Sequence, residues 1–166
     1  MNKKVIVVII VLIATVMVSG CIKTPMDNIN DLIPSLSKDI ESGNSNFNEA
    51  ITHTNKHNYD IADEKIQTAS NNFLSAQNNM LNIKRYSEDL NDTLYIQYLT
   101  LVEQELNLKQ NATANLQLAI QEFKNGNIKS ANSHVSTANN LMKQGIIIQK
   151  ERDYLVKNNP SKFTVI

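Results

Sequence analysis

Apolar side chains recur every three or four positions through most of this chain, which is the spacing of one face of an α-helix. The segment from Ala62 to Ile83 shows this best, because its apolar residues step by four and three in alternation. Gly and Pro, which break helices, number only 4 and 3 in the chain. The pattern predicts four long helices in a domain over 27–158, at about 27–56, 59–86, 92–124 and 127–157, followed by a tail over 159–166.

The predicted helix ends follow from capping residues and helix breakers. Asp27 precedes the first apolar run and is predicted to be its N-cap, while Asn91 or Asp92 can cap the third helix. Within the first helix, Pro34 and the polar segment 42–46 predict a kink or a break. The last six residues are expected to be frayed.

The second half of the helical region repeats the first. A shift of 69 positions superposes similar residues, among them Asn58 on Asn127, Ala62 on Ala131, Ile66 on Val135 and Ala69 on Ala138. Each half is therefore interpreted as one helix hairpin, and long helices joined by short turns form antiparallel neighbours. The predicted fold is all-α, an antiparallel up-down-up-down four-helix bundle built from a duplicated hairpin.

Two polar residues interrupt the apolar seam of the third helix. Glu105 and Asn115 occupy positions that the four-and-three spacing assigns to the seam. Two interpretations are open: either the edge of the stripe is exposed to water there, or a buried polar contact sets the register of the helices, as a buried Asn does in coiled coils.

Part of each hairpin resembles the second helix of a tetratricopeptide repeat. The resemblance is carried by Tyr59, Ala62, Ile66 and Ala69, and less well by Ile128, Ala131, Val135 and Ala138. It implies stacked helix hairpins and, as an alternative function, a peptide-binding adaptor. The large aromatic residue of the family's first helix is missing, and these helices are longer than the family's.

The N-terminus has the layout of a secretory signal peptide. Two lysines at positions 3 and 4 precede an apolar run over 5–18, and small residues follow. The run ends in Val18-Ser19-Gly20-Cys21, which resembles the lipobox cleavage motif of prokaryotic (bacterial or archaeal) lipoproteins.

The lipobox resemblance implies a processed and anchored protein. The signal peptide over 1–20 would be removed, Cys21 would carry a diacylglycerol on its sulfur, and residues 21–26 would form a tether. The expected location is the cell membrane, at its extracytoplasmic face. An uncleaved single-pass anchor and an ordinary secretory signal are the two alternatives, and both leave the rest of the chain outside the cell.

Composition narrows the partners and the chemistry. The chain has 16 basic and 16 acidic residues, and removal of Lys3 and Lys4 with the signal leaves 14 basic residues, a net charge of −2. Without a basic excess, nucleic acid is not an expected partner. Cys21 is the only cysteine, so its lipidation leaves neither a disulfide nor a catalytic thiol.

Metal binding is suggested only by the three histidines. His53 and His57 are four residues apart and share a helix face, and the bundle would bring His134 toward the same end. Neither an HExxH motif nor the Glu-x-x-His set of di-iron bundles accompanies them. A metal-binding bundle is therefore only an alternative, and no cofactor is expected.

Other chemical motifs are sparse. The sequence has neither a Gly-rich phosphate loop nor a nucleophile elbow, so the chain is not expected to be an enzyme. Asn91-Asp-Thr and Asn111-Ala-Thr match the N-glycosylation sequon, which makes Asn91 and Asn111 candidate glycosylation sites.

The expected function is non-enzymatic. The chain is interpreted as a membrane lipoprotein with a helical binding or structural domain, whose partner is a protein or a cell-envelope polymer. Alternating helix directions would place the anchor at one end and the turns near His57 and Gly126 at the outward tip, which is the expected contact surface.

Overall fold

The computed structural model describes residues 24–90 and 92–163. Within these ranges the chain forms four helices and no strand. The helices are α1 (Pro25–Asn55), α2 (Tyr59–Ser87), α3 (Thr93–Lys124) and α4 (Ile128–Asn158), with a short 3-10 turn (Glu88–Leu90) after α2. The all-α, antiparallel four-helix bundle predicted from the spacing is confirmed, and each helix end lies within two residues of its predicted position.

Two N-caps decide where helices begin. Thr24 caps α1, and Asp27, which the sequence predicts as the cap, lies inside the first turn and accepts the Thr24 backbone N–H at 2.9 Å. This reciprocal capping box satisfies two backbone donors at once. The N-cap of α3 is Asp92, whose carboxylate accepts the Leu94 N–H at 3.0 Å.

The first helix is continuous where a kink or a break is predicted. Pro34 lies on its exposed side, and Gly43 is buried against α2. A Cβ added at Gly43 would collide with the ring of Phe73. Gly43 therefore serves the close approach of α1 and α2 and does not end the helix, because tertiary packing outweighs its low helix propensity.

The duplication extends to the backbone of the two hairpin turns. In each turn, a residue with positive φ donates its N–H to a carbonyl three residues earlier, at 3.0 Å in the first turn and 3.1 Å in the second. The following residue donates to a carbonyl five residues earlier, at 2.9 Å in both turns. The positive-φ residues are His57 (φ 60°) and Gly126 (φ 77°). Both turns are thus Schellman motifs that end a helix in the same way.

The helices pack as two hairpins that meet along one side. All seven seam residues predicted for α2, from Ala62 to Ile83, are buried in the core. The hairpins join mainly through α2 and α3, where the rings of Tyr59 and Phe123 stack at 5.5 Å, whereas α1 and α4 hardly approach each other. One side of the bundle therefore remains open between α1 and α4.

The C-terminal tail is docked, so the prediction that it is frayed is wrong for the described residues up to Phe163. The Phe163 ring is 4% exposed and contacts Tyr95 and Tyr98, at centroid distances of 5.1 and 5.5 Å. The Lys162 carbonyl accepts the Tyr95 hydroxyl at 2.9 Å, and its ammonium pairs with Asp92 at 2.6 Å. Burial of a large aromatic ring explains why this short segment is ordered.

The start of α1 and the two hairpin turns lie at opposite ends of the bundle. Tyr95, which holds the tail, also contacts the sulfur of Met26 near the start of α1 at 3.4 Å, so the start of α1, the start of α3 and the C-terminus share one end. The Schellman turns form the other end, where Lys124 pairs with Asp60 at 2.9 Å. No helix within the described ranges is both long and apolar enough to span a lipid bilayer.

Candidate binding site: a buried ionic layer below the α1–α4 cleft

One layer of the duplicated core is apolar in the first hairpin and polar in the second. The apolar members, from α1 and α2, are each at most 2% exposed. The four pairs, related by the 69-residue shift, are Leu36 with Glu105, Ile40 with Lys109, Met80 with Gln149, and Ile83 with Arg152. Because the same backbone accommodates an apolar layer in the first hairpin, the fold itself does not require these polar groups.

The four polar side chains form one bonded cluster, which we call the ionic layer. Its centre is the Glu105 carboxylate, which pairs with the Lys109 ammonium at 2.6 Å and with the Arg152 guanidinium at 2.7 Å. The Lys109 ammonium also donates to the Gln149 side-chain oxygen at 3.0 Å. The side chains of Glu105 and Lys109 are fully buried, and that of Arg152 is 13% exposed. Each buried charge is thus paired and hydrogen-bonded, as burial requires.

A glycine in α4 makes room for the buried lysine. A Cβ at Gly145 would lie 3.1 Å from Cγ of Lys109, which is closer than ordinary van der Waals contact. The 69-residue shift places Gly145 on Ala76 of α2 and Lys109 on the shorter Ile40 of α1. The change from alanine to glycine therefore accompanies the change from isoleucine to lysine.

Burial and pairing shift the pKa values around this layer. Burial lowers the pKa of Lys109, although the Glu105 carboxylate opposes this. For Arg152, burial acts to lower the pKa, but attraction to Glu105, Tyr98 and Asp153 outweighs it and the pKa rises. Burial also raises the pKa of Tyr98 to about 12, although nearby Arg152 acts in the opposite direction. Arg152 is therefore charged, and Tyr98 neutral, at any physiological pH.

The ionic layer reaches solvent through the open side of the bundle. A cleft of about 340 Å³ lies between α1 and α4, with Tyr98 of α3 also lining it. Arg152 and Gln149 connect it to the buried pair, and Ser37 and Glu41 line it from α1. This volume falls within the range of small-molecule sites, at its lower end. The arrangement offers a fixed guanidinium in a partly enclosed space and no nucleophile paired with a base.

The structure decides between the two interpretations of the polar seam positions. Glu105 is fully buried in a contact between α3 and α4, so the interpretation as a solvent-exposed edge is wrong for it. Asn115 is half-buried, and its Oδ1 lies 3.3 Å from Nδ1 of His134 in α4. Both residues therefore make polar contacts between the helices of the second hairpin.

The three histidines lie apart from the ionic layer. Nδ1 of His57, in the exposed turn, lies 2.7 Å from the Tyr59 hydroxyl, and His134 contacts Asn115. His53 is half-buried near the C-terminal end of α1. Within residues 24–90 and 92–163, the structure forms no cluster of three or more His, Cys, Asp or Glu residues suited to a metal ion.

The remaining sequence-predicted sites fall in two groups. Val18, Ser19, Gly20 and Cys21, together with Asn91, lie outside the described residues. Asn111 is described, and it is exposed in the middle of α3, where its backbone carbonyl accepts the Asn115 side chain at 2.9 Å.

Sequence reasoning located Glu105 but missed the other three polar residues of the ionic layer and the glycine that makes room for Lys109. Lys109, Gln149 and Gly145 carry no recognisable motif, and Arg152 falls within the helical pattern of α4 as an ordinary position. The repeat itself held the signal, because all four polar residues align with buried apolar residues of the first hairpin. Comparison with known proteins found no matching family model, no similar curated protein and no similar solved structure.

Proposed function

We propose that the chain is a lipid-anchored extracytoplasmic protein whose four-helix domain binds a ligand in the α1–α4 cleft without catalysing a reaction. The lipobox resemblance around Cys21 supports the anchor, and the ionic layer supports the binding role. The absence of a catalytic motif from the sequence agrees with a binding role.

The ionic layer is the observation that carries the binding proposal. Replacing a buried ion cluster by apolar residues of similar size is often neutral or stabilising, so folding stability does not explain Glu105, Lys109 and Arg152. The first hairpin supplies such an apolar layer at the equivalent positions. The polar groups lead to the side that the described helices leave open between α1 and α4, where a ligand can use them.

The cleft also changes where we expect contact with the ligand. Ser37 belongs to the first half of α1, Glu41 lies at its middle and Arg152 is near the end of α4, so the cleft extends from the middle of the bundle toward the end nearer the anchor. We therefore propose the cleft, and not the outward turns near His57 and Gly126, as the principal contact site.

A tetratricopeptide-like adaptor is the second candidate, and the shared Schellman turns favour it. A repeat of that family fits two helices into 34 residues, whereas α1 alone has 31. Helices of this length form a bundle with a cleft along one side. A tetratricopeptide superhelix is built from shorter helices, so the adaptor is the weaker candidate.

The anchor is tested by the mass of the mature protein. Protein extracted from membranes should begin at Cys21 and carry the additional mass of acyl chains. Cys21→Ser should leave the precursor uncut or release the protein from the membrane. An unmodified chain beginning at Met1 in the wild type would contradict lipidation and favour an uncleaved anchor.

The binding site is tested by photo-crosslinking on intact cells. A photoreactive amino acid is placed at Ser37 in the cleft and, as a matched control, at exposed Ser130 at the outward end of α4. We expect adducts at Ser37 and none at Ser130. Adducts at Ser130 alone would place the contact surface at the tip and refute the cleft as the binding site.

A further inference from the structure

The cleft contains charged groups of both signs in equal number. Arg152 and Lys157 contribute two positive charges from α4, while Asp153 of α4 and Glu41 of α1 contribute two negative charges. A ligand with a single charge would leave one group unmatched in a partly enclosed space, which is unfavourable. A ligand that carries one charge of each sign suits this lining.

Arg152 lines the cleft, and Glu105 occupies only one side of its guanidinium. Its Nη1 is held by the buried Glu105 carboxylate, whereas Nε and Nη2 lie on the other edge. In a guanidinium, two adjacent N–H groups can bind both oxygens of a carboxylate in a fork. Because Glu105 is itself held by Lys109, the guanidinium is oriented before any ligand arrives, which lowers the entropy cost of binding.

The group that now occupies this edge is a poor partner. A single oxygen of Asp153 accepts from Nε at 3.3 Å and from Nη2 at 3.0 Å. Asp153 is the next residue in the same helix, and such neighbours do not face each other. Its side chain is 58% exposed, so it can turn toward solvent or toward Lys157, one helical turn further along. A ligand carboxylate with two oxygens could therefore replace it.

The opposite wall offers an acceptor for a cation. Glu41 is exposed on α1, and none of the ion pairs among the described residues includes it. Ser37, one helical turn earlier, lines the same wall and adds a hydroxyl. Ile40 and Val156 supply apolar surface between the two charged walls.

We propose that the α1–α4 cleft binds a small zwitterion of the free amino acid or dipeptide class, with its carboxylate on Arg152 and its ammonium at Glu41. The cleft volume of about 340 Å³ limits the ligand to this size. This assignment rests on the proposed binding function and specifies its substrate class.

The test measures binding to the purified full-length protein in detergent by isothermal titration calorimetry and by thermal unfolding. The probes are the twenty common L-amino acids and their dipeptides with alanine. For each binder, the N-acetyl derivative and the carboxamide are matched probes that lack one charge, and inorganic phosphate is an unrelated anion. At least one zwitterion should bind and raise the melting temperature. Each matched probe should bind at least about tenfold more weakly, because one charge-assisted contact is lost.

Three variants and one control variant assign the contacts. Glu41→Gln should weaken binding of the zwitterion about tenfold and leave binding of its N-acetyl derivative, which lacks the ammonium, unchanged. The control Glu151→Gln changes a glutamate that does not line this cleft and should have no effect. Asp153→Asn should strengthen binding, because it weakens the internal competitor for Arg152. Arg152→Lys should abolish the advantage of the free carboxylate over the carboxamide, since an ammonium lacks the fork.

The outcomes separate the ligand class from the binding function. If phosphate or N-acetyl amino acids bind as tightly as zwitterions, the proposal that the ligand is a zwitterion is overturned. Such a result would indicate that the cleft binds simple anions. Absence of binding by every probe, with crosslinked adducts still found at Ser37, would refute the ligand class while the binding function stands. Absence of both would refute the two proposals together.

Discussion

The sharpest prediction concerns Glu105, the shared partner of two cations. Glu105→Leu introduces the residue found at this position of the first hairpin, but it removes the carboxylate that pairs with Lys109 and leaves Arg152 with only the exposed Asp153 carboxylate. The Lys109 side chain is fully buried, so water does not screen this loss. Breaking a buried pair by removing one partner costs about 3–5 kcal/mol.

A ceiling on this cost follows from the chemistry of lysine. An unpaired Lys109 can lose its proton, and neutralising an ordinary lysine at neutral pH costs about 1.4 kcal/mol for each of about three and a half pH units, or about 5 kcal/mol. The pKa of Lys109 is already lowered by burial, so part of this cost is present in the wild type. We therefore expect Glu105→Leu to lower the free energy of unfolding by about 3–5 kcal/mol.

The first hairpin also supplies the compensating residues. Combining Glu105→Leu with the other residues of the apolar layer gives five changes: Glu105→Leu, Lys109→Ile, Gly145→Ala, Gln149→Met and Arg152→Ile. This variant has no buried charge to desolvate, so it should be at least as stable as the wild type, and by about 1–4 kcal/mol more stable if packing is good. The effects are thus strongly non-additive, as expected for residues in one network.

Urea unfolding, followed by circular dichroism, measures the free energy of unfolding of both variants. Glu103→Leu is the matched control, because Glu103 is 43% exposed on the same helix and pairs with Lys84 at the surface. It should change stability by less than about 1 kcal/mol. The reasoning is refuted if Glu105→Leu costs less than about 1 kcal/mol, or if the five-residue variant is less stable than Glu105→Leu alone.

Three further predictions concern single residues. Gly126→Ala should lower the free energy of unfolding by about 1 kcal/mol, because alanine is strained at φ 77° while the added methyl meets no other atom; an unchanged urea midpoint would contradict this. Phe163→Ala should cost about 3 kcal/mol in the same assay, since the ring is buried, and a loss below about 1 kcal/mol would mean that the tail is not docked. Between about pH 10 and about pH 12, native Tyr98 keeps the proton that the unfolded chain loses, so wild-type stability should fall as pH rises through this window. Tyr98→Phe should fall less steeply there, and identical slopes would argue against the raised pKa.

The sequence predicts the helices better than it predicts the role of single polar residues. The spacing from Ala62 to Ile83 identifies a buried face because side chains three and four apart lie together on any helix. Gly43 shows the limit of such reasoning. Its low helix propensity predicts a break, yet the need to admit the Phe73 ring keeps it inside a continuous helix.

Local periodicity is enough to locate four helices, to detect their duplication and to predict antiparallel neighbours. Each of these depends on residues a few positions apart or on similar residues repeated 69 positions later. Periodicity cannot distinguish an exposed Glu105 from a buried one, because that depends on Arg152, which is 47 residues away in the chain and 2.7 Å away in space. The docking of Phe163 on Tyr95 and the open side between α1 and α4 are also decided by contacts between distant segments. The candidate site consists of such contacts, and for that reason it became visible only in the folded chain.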